Sequence, residues 1–191
     1  MEILILGPQG SGKGTQANRI ASEYGFAHIA TGEILRAAVA AGTELGRRVQ
    51  PILDAGELVP DDLMIELIRQ RLAEPDAAEG FVLDGFPRTL PQAEALDEML
   101  AEIGRPLGAV FEFLIADDVC VERLRSRAEL EGRSDDAPEA ITKRLALYHE
   151  LTEPVVEHYR ARGRLVGIHA ERSVNEVFAE LGAALERAGV A

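Results

Sequence analysis

A glycine-rich segment holding one of only two lysines carries the strongest chemical signal in the sequence. Gly7-Pro8-Gln9-Gly10-Ser11-Gly12-Lys13-Gly14-Thr15 directly follows a short apolar run. Glycine permits backbone conformations in which several amide groups point at one anion, and a lysine ammonium adds a compact charge. The segment therefore predicts a phosphate-binding loop in which Lys13 approaches the β- and γ-phosphates of a nucleotide.

Two oxygen donors are candidates to orient a magnesium ion near this loop. Gly14 stands where such loops usually place Ser or Thr, and the hydroxyl comes one residue later at Thr15. Asp84 ends a second apolar run, Phe81-Val82-Leu83. Because Mg²⁺ keeps several of its waters, we expect no direct protein ligand and a hydrated ion near Asp84.

Arginines recur beside other turn signals. Arg88 follows the rigid turn Gly85-Phe86-Pro87, and Arg36 follows Thr31-Gly32. Guanidinium groups bind phosphate oxygens through two parallel hydrogen bonds, so these two arginines are candidates to share one phosphate. Further candidates lie later in the chain: Arg123, Arg127, Arg133 and Arg144. A solvated helix face with ion pairs to nearby glutamates is the alternative for these later arginines.

These residues require a scaffold in which strands and helices alternate. Apolar runs predict strands at 3–6, 27–30, 80–84, 109–115 and 165–169. Amphipathic stretches predict helices at 12–24, 32–41, 45–55, 61–73, 91–103, 119–127, 138–162 and 174–188. The alternation predicts a three-layer α/β fold with a five-stranded parallel sheet covered by helices on both faces.

The whole chain, 1–191, is expected to form one core domain with two insertions. Residues 30–59 supply helices and a Gly-Glu-Leu-Val loop between the second and third strands. Residues 127–137 form a short polar segment between two helices. Both insertions would lie at the carboxyl ends of the strands, where sheets of this kind bind ligands.

Composition excludes several classes of function. The 191 residues include 33 Asp and Glu against 20 Lys and Arg, a net charge of -13. Such a field repels polyanions, so neither nucleic acid nor an anionic membrane is an expected partner. The single cysteine excludes a multi-cysteine zinc site. The first residues lack the pattern of a signal peptide and no run reaches membrane-spanning length, so we expect a cytoplasmic location.

Together these segments resemble the adenylate kinase family, in its short-lid type within the nucleoside monophosphate kinases. The resemblance rests on Gly7–Thr15, Thr31–Arg36, Gly56–Asp61, Asp84–Thr89 and Gly132–Asp136, which stand in the family's order and span nearly the whole chain. It implies reversible phosphoryl transfer from MgATP to AMP, giving two ADP, by a P-loop fold. It also implies a nucleotide-binding insertion at 30–59, a lid loop at 127–137 and a monomer without structural zinc.

The resemblance also implies roles for individual residues. The catalytic residues would be Lys13, Asp84, Arg88, Arg127, Arg133 and Arg144. ATP would be held by Gly10, Ser11, Gly12, Lys13, Gly14, Thr15, Arg123, Arg127 and the main chain near Arg172. AMP would be held by Thr31, Arg36, Glu57, Leu58, Val59, Gly85, Phe86, Pro87, Arg88, Gln92, Arg133 and Arg144.

Two other functions fit parts of this pattern. A uridylate/cytidylate kinase shares the same motifs, although Thr31 favours AMP because pyrimidine-specific relatives tend to have a small apolar residue there. A non-catalytic nucleotide sensor would need the phosphate loop, but it would not need two arginine clusters or a second nucleotide pocket.

Overall fold

A computed structural model of the chain describes residues 1–131 and 136–189. Within them, five parallel strands form one sheet in the order β2-β3-β1-β4-β5. The strands are β1 Glu2–Leu6, β2 Ala27–Ala30, β3 Phe81–Asp84, β4 Ala109–Leu114 and β5 Leu165–His169. The order changes direction at β1, where the chain crosses from one half of the sheet to the other, and ligands bind at such points.

Helices connect successive strands and cover the sheet. Their bounds are α1 Lys13–Tyr24, α2 Thr31–Ala40, α3 Glu44–Asp54, α4 Asp61–Leu72, α5 Leu90–Glu102, α6 Asp117–Glu131, α7 Pro138–Leu147, α8 Glu153–Arg160 and α9 Val174–Arg187. A 3₁₀ turn covers Pro75–Ala77. In the described residues no helix is long and apolar enough to span a membrane.

Alternating side chains of the strands build two cores. Ile3 and Ile5 of β1 pack with Ile20 of α1 and with the apolar face of α9. Leu4 and Leu6 of the same strand face the other way, into a cluster formed with helices α4, α5 and α8. Since a parallel strand buried on both faces needs apolar residues at every position, the continuous apolar runs correctly predicted a covered sheet.

The fold confirms the predicted three-layer α/β architecture, with one difference at the sheet edge. β5 pairs only with β4 in the described sheet, and Val166 is 37% exposed. Leu114 of β4 is also exposed, at 42%. The apolar run predicted β5 as a strand, but such a run does not show that the strand lies at the edge with part of its surface exposed.

The helix predicted at 138–162 is divided, and this prediction was wrong as a single element. A π-helical turn, Tyr148–Thr152, separates α7 from α8. Pro154 lies in the first turn of α8. Proline lacks an amide hydrogen and its ring clashes with the carbonyl four residues earlier, so the ordinary helical hydrogen bonding cannot continue through this point.

Helix α6 is longer than predicted, whereas α2 and α3 match their predicted lengths. Helix α6 starts at Asp117 and continues to Glu131, beyond the predicted end at 127. Helices α2 and α3 lie within the predicted insertion at 30–59 and pack closely, because Gly46 lacks a side chain. An added Cβ there would lie 2.0 Å from the carbonyl oxygen of Ala38.

Candidate active site

The phosphate-binding loop turns sharply between β1 and α1. Gly7, Gly10 and Gly12 have φ angles of 147°, 83° and 90°, in the region that favours glycine. Gly10 also has no room for a side chain, because an added Cβ would lie 2.7 Å from the Cys120 carbonyl oxygen. The loop therefore presents its main chain at the amino end of α1, where amide groups and the helix dipole attract anions.

Lys13 is folded over this loop. Its Nζ donates hydrogen bonds to the carbonyl oxygens of Gly7, at 2.8 Å, and Pro8, at 2.6 Å. It also reaches the Ser11 hydroxyl at 3.3 Å. Burial lowers the pKa of the ammonium from 10.5 to about 8, an effect that nearby Asp84 opposes and Arg88 adds to. A bound polyanion would restore the charged form.

Two guanidinium groups meet on one buried carboxylate. Arg127 donates to Asp136 through Nε at 2.6 Å and Nη2 at 2.7 Å. Arg144 donates to the same carboxylate through Nη1 at 3.0 Å. The Asp136 side chain is fully buried, while Arg127 and Arg144 are 27% and 12% exposed. Asp136 therefore holds arginines of α6 and α7 together, with both facing the same cavity.

Arg123 ties the loop to the end of β5. Its guanidinium donates to the carbonyl oxygens of Ala170 at 3.0 Å and Glu171 at 3.3 Å, and lies 3.5 Å from that of Ser11. The side chain lines the same cavity as Arg127. Arg123 thus stands between the phosphate loop and the segment that follows β5.

The turn after β3 brings a carboxylate and an arginine to the same edge. Asp84 lines the cavity opposite Gly14, where an added Cβ would lie 3.4 Å from its Oδ2. Gly85 has a φ of 84°, and Arg88 Nε donates to its carbonyl oxygen at 2.8 Å. The carbonyl of Arg88 accepts from the Thr152 hydroxyl at 2.9 Å. Hydrogen bonds from the Arg88 side chain and from Thr152 therefore hold the turn in place.

Two cavities meet at the arginines. The larger, of about 740 Å³, is lined by the phosphate loop, Asp84 and the guanidinium residues Arg123 and Arg127. The smaller, of about 50 Å³, has apolar walls that include Leu35, Leu53, Val59 and Met64. Residues that line both cavities are Gly32, Arg36, Gly85, Arg88 and Arg144. Three cationic side chains therefore stand at the junction.

Most of the predicted site residues line one of these cavities. The larger cavity contains Gly10, Gly12, Lys13, Gly14, Thr15, Arg36, Asp84, Gly85, Phe86, Pro87, Arg88, Arg123, Arg127 and Arg144. The smaller contains Thr31, Arg36, Glu57, Leu58, Val59, Gly85, Arg88, Gln92 and Arg144. Gln92 is 2% exposed, and its amide is hydrogen-bonded to Asp61 and to the main chain of Arg88.

Two predicted residues do not line either cavity with their side chains. Ser11 is buried beneath the loop and bonds the Lys13 ammonium rather than lining the cavity. The Arg172 side chain is exposed and lies 3.5 Å from Glu180, away from both cavities. Arg133 lies outside the described residues, as do the other positions of 132–135 within the predicted lid loop.

Sequence reasoning missed two carboxylates that hold other site residues. Asp136 ends the segment Gly132–Asp136, and its position among several arginines is a signal for its role. Asp61 begins the helix predicted at 61–73, and its carboxylate also accepts hydrogen bonds from Gln92 and Thr89. No local pattern connects Asp61 with Gln92, since they meet only in the folded chain.

A metal site made by side chains alone is absent from the part of the chain that the structure describes. Within it, no group of three or more His, Cys, Asp or Glu residues could hold a metal ion. Asp84 and Thr15 nevertheless both line the larger cavity. A carboxylate and a hydroxyl suit the waters of a hydrated divalent cation that arrives with a nucleotide.

The fold and the site define a phosphate-loop nucleotide-binding protein of the α/β class. A family profile described as adenylate kinase matches residues 5–164, more than half of the chain. The chain therefore belongs to the adenylate kinase family.

Individual relatives agree with this assignment over nearly the full length. The chain is similar to an adenylate kinase of Stenotrophomonas maltophilia (strain K279a), with 47% identity across 97% of this chain and all of the relative. An adenylate kinase of Thermus thermophilus is 51% identical across 96% of both chains. One from Xanthomonas euvesicatoria pv. vesicatoria is 46% identical across 98% of this chain and all of the relative.

Proposed function

We propose that this chain transfers a phosphoryl group reversibly from MgATP to AMP, giving two ADP, and so maintains adenine nucleotide balance. One observation carries the proposal: Arg36, Arg88 and Arg144 line both cavities, and the larger one also contains the phosphate loop. A site for two nucleotides whose phosphates meet needs positive charge at the junction. The similarity to enzymes named adenylate kinase supports the same reaction.

Within this proposal each cavity takes one nucleotide. ATP occupies the larger cavity, with its phosphates on the Gly10–Thr15 loop and Lys13. Arg123 and the main chain near Arg172 face its base. AMP places its base in the smaller cavity, against Thr31, the Glu57–Val59 main chain and Gln92. Arg36, Arg88, Arg133 and Arg144 hold the AMP phosphate and the transferring group together with Arg127.

The chemistry requires positioning and charge more than proton transfer. A phosphate oxygen of AMP forms a bond to the γ-phosphorus of ATP, and the bond from that phosphorus to the β–γ bridging oxygen breaks. ATP and AMP together bring about six negative charges, since their terminal phosphates have pKa values near 6. Lysine and arginine side chains offset this repulsion and align the reacting atoms. The attacking phosphate is already ionised, so no general base is needed.

Magnesium is proposed to arrive with ATP and to keep its water ligands. Asp84 and Thr15 would hold those waters at the edge of the larger cavity. When bound, the ion neutralises phosphate charge and fixes the geometry of the ATP phosphates. No direct protein ligand and no structural zinc is proposed.

Residues 30–59 are proposed as the AMP-binding segment and 127–137 as a short lid. Arg36 belongs to the first segment, and Arg127 and Arg133 belong to the second. Because the two insertions carry different arginines, the full set of charges assembles only when both close on their nucleotides. Until AMP binds, the charges are not assembled, so transfer of the phosphoryl group from ATP to water stays slow.

We also propose that the chain acts as a monomer in the cytoplasm, where its nucleotide substrates are found, without nucleic-acid or membrane partners. The net charge of -13 supports the last point, because it repels polyanions. Light scattering during gel filtration should give a mass near 20.7 kDa. A mass of twice that value would contradict the monomer.

A coupled assay of ADP formation tests the function. With ATP and Mg²⁺, ADP should form rapidly when AMP is added and negligibly without it. UMP and CMP in place of AMP should support much slower turnover, which separates this proposal from a pyrimidine nucleotide kinase. A lack of AMP-dependent ADP formation would favour a nucleotide sensor and overturn the proposal.

A further inference from the structure

A carboxylate behind the smaller cavity makes two side-chain contacts. Asp61 Oδ1 accepts a hydrogen bond from Gln92 Nε2 at 2.7 Å and another from the Thr89 hydroxyl at 3.0 Å. Thr89 caps the amino end of α5, and its hydroxyl accepts from the main-chain N–H of Gln92 at 3.4 Å. Asp61 itself begins α4. Asp61 therefore connects α4 with α5 through Gln92, which lines the smaller cavity.

The contacts of Gln92 leave only one orientation for its amide. Its Oε1 accepts from the main-chain N–H of Arg88 at 2.8 Å, while its Nε2 donates to Asp61. A main-chain N–H can only donate, and an ionised carboxylate can only accept. A flipped amide would therefore place its N–H groups against the N–H of Arg88 and its oxygen against the carboxylate of Asp61. Because Gln92 is only 2% exposed, water cannot readily relieve that mismatch.

The fixed amide has hydrogen-bonding capacity left for a ligand. An amide has two N–H donors and two acceptor positions on its oxygen, and one of each is used by Asp61 and Arg88. One donor and one acceptor remain on a side chain that lines the smaller cavity. A purine with an amino group beside an unprotonated ring nitrogen offers the complementary pair. A purine with a carbonyl beside a protonated ring nitrogen offers the reverse.

We infer that Asp61 determines the base specificity of the smaller cavity by fixing the orientation of the Gln92 amide. This inference rests on the proposed function, since it assumes that the cavity holds the base of AMP. Asp61 does not line either cavity and is a positioning residue that acts through Gln92. Its loss removes one of the two contacts that fix the amide and leaves only the Arg88 N–H, so the flipped amide becomes more accessible and the cavity accepts a 6-oxopurine more readily and a 6-aminopurine less well.

The test compares AMP with IMP as phosphoryl acceptor in the wild type and two variants, Asp61→Ala and Asp61→Asn. The wild type should favour AMP by at least about 100-fold in kcat/KM, as expected for a site built to hydrogen-bond its substrate. Asp61→Ala should lower this ratio by at least about tenfold, because a charge-assisted hydrogen bond is lost. The change should appear in KM for the acceptor, while KM for ATP stays near the wild-type value.

Asp62→Ala is the matched control, since Asp62 is an exposed carboxylate in the same first turn of α4. It should retain the wild-type ratio of AMP to IMP. Asp61→Asn keeps the shape and one acceptor, so its ratio should fall between those of the wild type and Asp61→Ala. If Asp61→Ala does not fold, as judged by circular dichroism, the Asp61→Asn ratio decides.

The outcomes separate this inference from the proposed function. No AMP-dependent ADP formation by the wild type would refute the function itself. Normal activity with AMP, but an AMP to IMP ratio that is unchanged in the folded Asp61 variants, would overturn the inference alone. An equal fall of the ratio in Asp62→Ala would also overturn it, because the effect would then come from helix α4 rather than from Gln92.

Discussion

The two cavities are lined by different kinds of chemical group. The larger is surrounded by main-chain amides, a lysine and arginines drawn from distant parts of the chain. The smaller has apolar walls and one amide that is held by a carboxylate behind it. In the proposed function, phosphate would therefore be bound by charge and by the backbone, whereas the base would be selected by shape and by the direction of hydrogen bonds.

The two cavities differ in how strongly each depends on a single residue. In the proposed function several cations would share the phosphates, so no single arginine would define specificity, but turnover would depend on their joint placement. A base pocket with one oriented amide depends on that amide for discrimination, since shape alone separates similar purines poorly. Substitutions in the two regions should therefore change different kinetic constants.

The largest effect should come from the phosphate loop. Lys13→Ala should lower kcat by at least about 10³-fold, the scale for loss of a key cation in phosphoryl transfer. Steady-state turnover, with circular dichroism to check folding, measures this. Lys143→Ala is the matched control, because Lys143 pairs with Glu57 at 2.7 Å on the surface and should stay within about twofold of wild type. Near-normal turnover by Lys13→Ala would contradict the phosphate-loop assignment.

At the junction of the cavities, Arg88→Ala should act mainly on the AMP side. We expect kcat/KM for AMP to fall by about 100-fold, since a guanidinium that contacts phosphate is lost. Binding of an ATP analogue, measured by calorimetry without AMP, should change by less than about threefold because other cations remain. Equal losses of AMP use and of ATP-analogue binding would contradict the assignment of Arg88 to the AMP side.

Asp136 tests whether the arginines must be held together. Asp136→Ala should lower kcat by about 10- to 100-fold, because small displacements of positioning groups are costly. Arg127 and Arg144 lose the carboxylate that both contact. Glu139→Ala, an exposed change in the first turn of α7, should leave kcat unchanged. A folded Asp136→Ala enzyme with wild-type kcat would show that the arginines need no such anchor.

A smaller effect should appear in the pH dependence of binding to the larger cavity. The pKa of Lys13 is lowered to about 8 in the free protein, and nucleotide phosphates favour the ammonium form. Binding therefore takes up protons, and affinity should decline as the pH rises above 8. At pH 8.5, above this pKa, most of the Lys13 amines are neutral, so calorimetry in buffers of different ionisation enthalpy should detect the uptake of a large fraction of a proton.

Lys13→Ala should abolish this uptake, while Lys143→Ala should preserve it. An uptake that survives in Lys13→Ala would assign the proton to another group. An enthalpy that does not depend on the buffer in the wild type would refute the lowered pKa.

The two regions also differ in how far the sequence could predict them. The phosphate loop follows from glycines and a lysine at fixed spacing between a strand and a helix, and the apolar runs predicted the sheet that carries it. The π-helical turn before α8 was missed, because helical periodicity persists through Tyr148–Thr152. The exposed side of β5 was missed because an apolar run does not reveal a strand's place in the sheet order.

Supporting contacts were beyond prediction where they join distant residues. Asp61 meets Gln92 across 31 positions of sequence, and no periodicity connects a helix start with a side chain in another helix. Asp136 bridges Arg127 and Arg144 only because α6 and α7 lie side by side. Such contacts depend on tertiary packing, so local patterns identify the groups that bind phosphate but not the groups that orient them.

Phosphorus NMR of a reaction that starts from MgADP alone tests the central claim most directly. If the two cavities bind two nucleotides with their phosphates at the shared arginines, ADP should convert to ATP and AMP in equal amounts until equilibrium is reached. Lys13→Ala should fail to reach that equilibrium in the same time. An ADP signal that stays unchanged, or that decays with release of inorganic phosphate, would contradict the account.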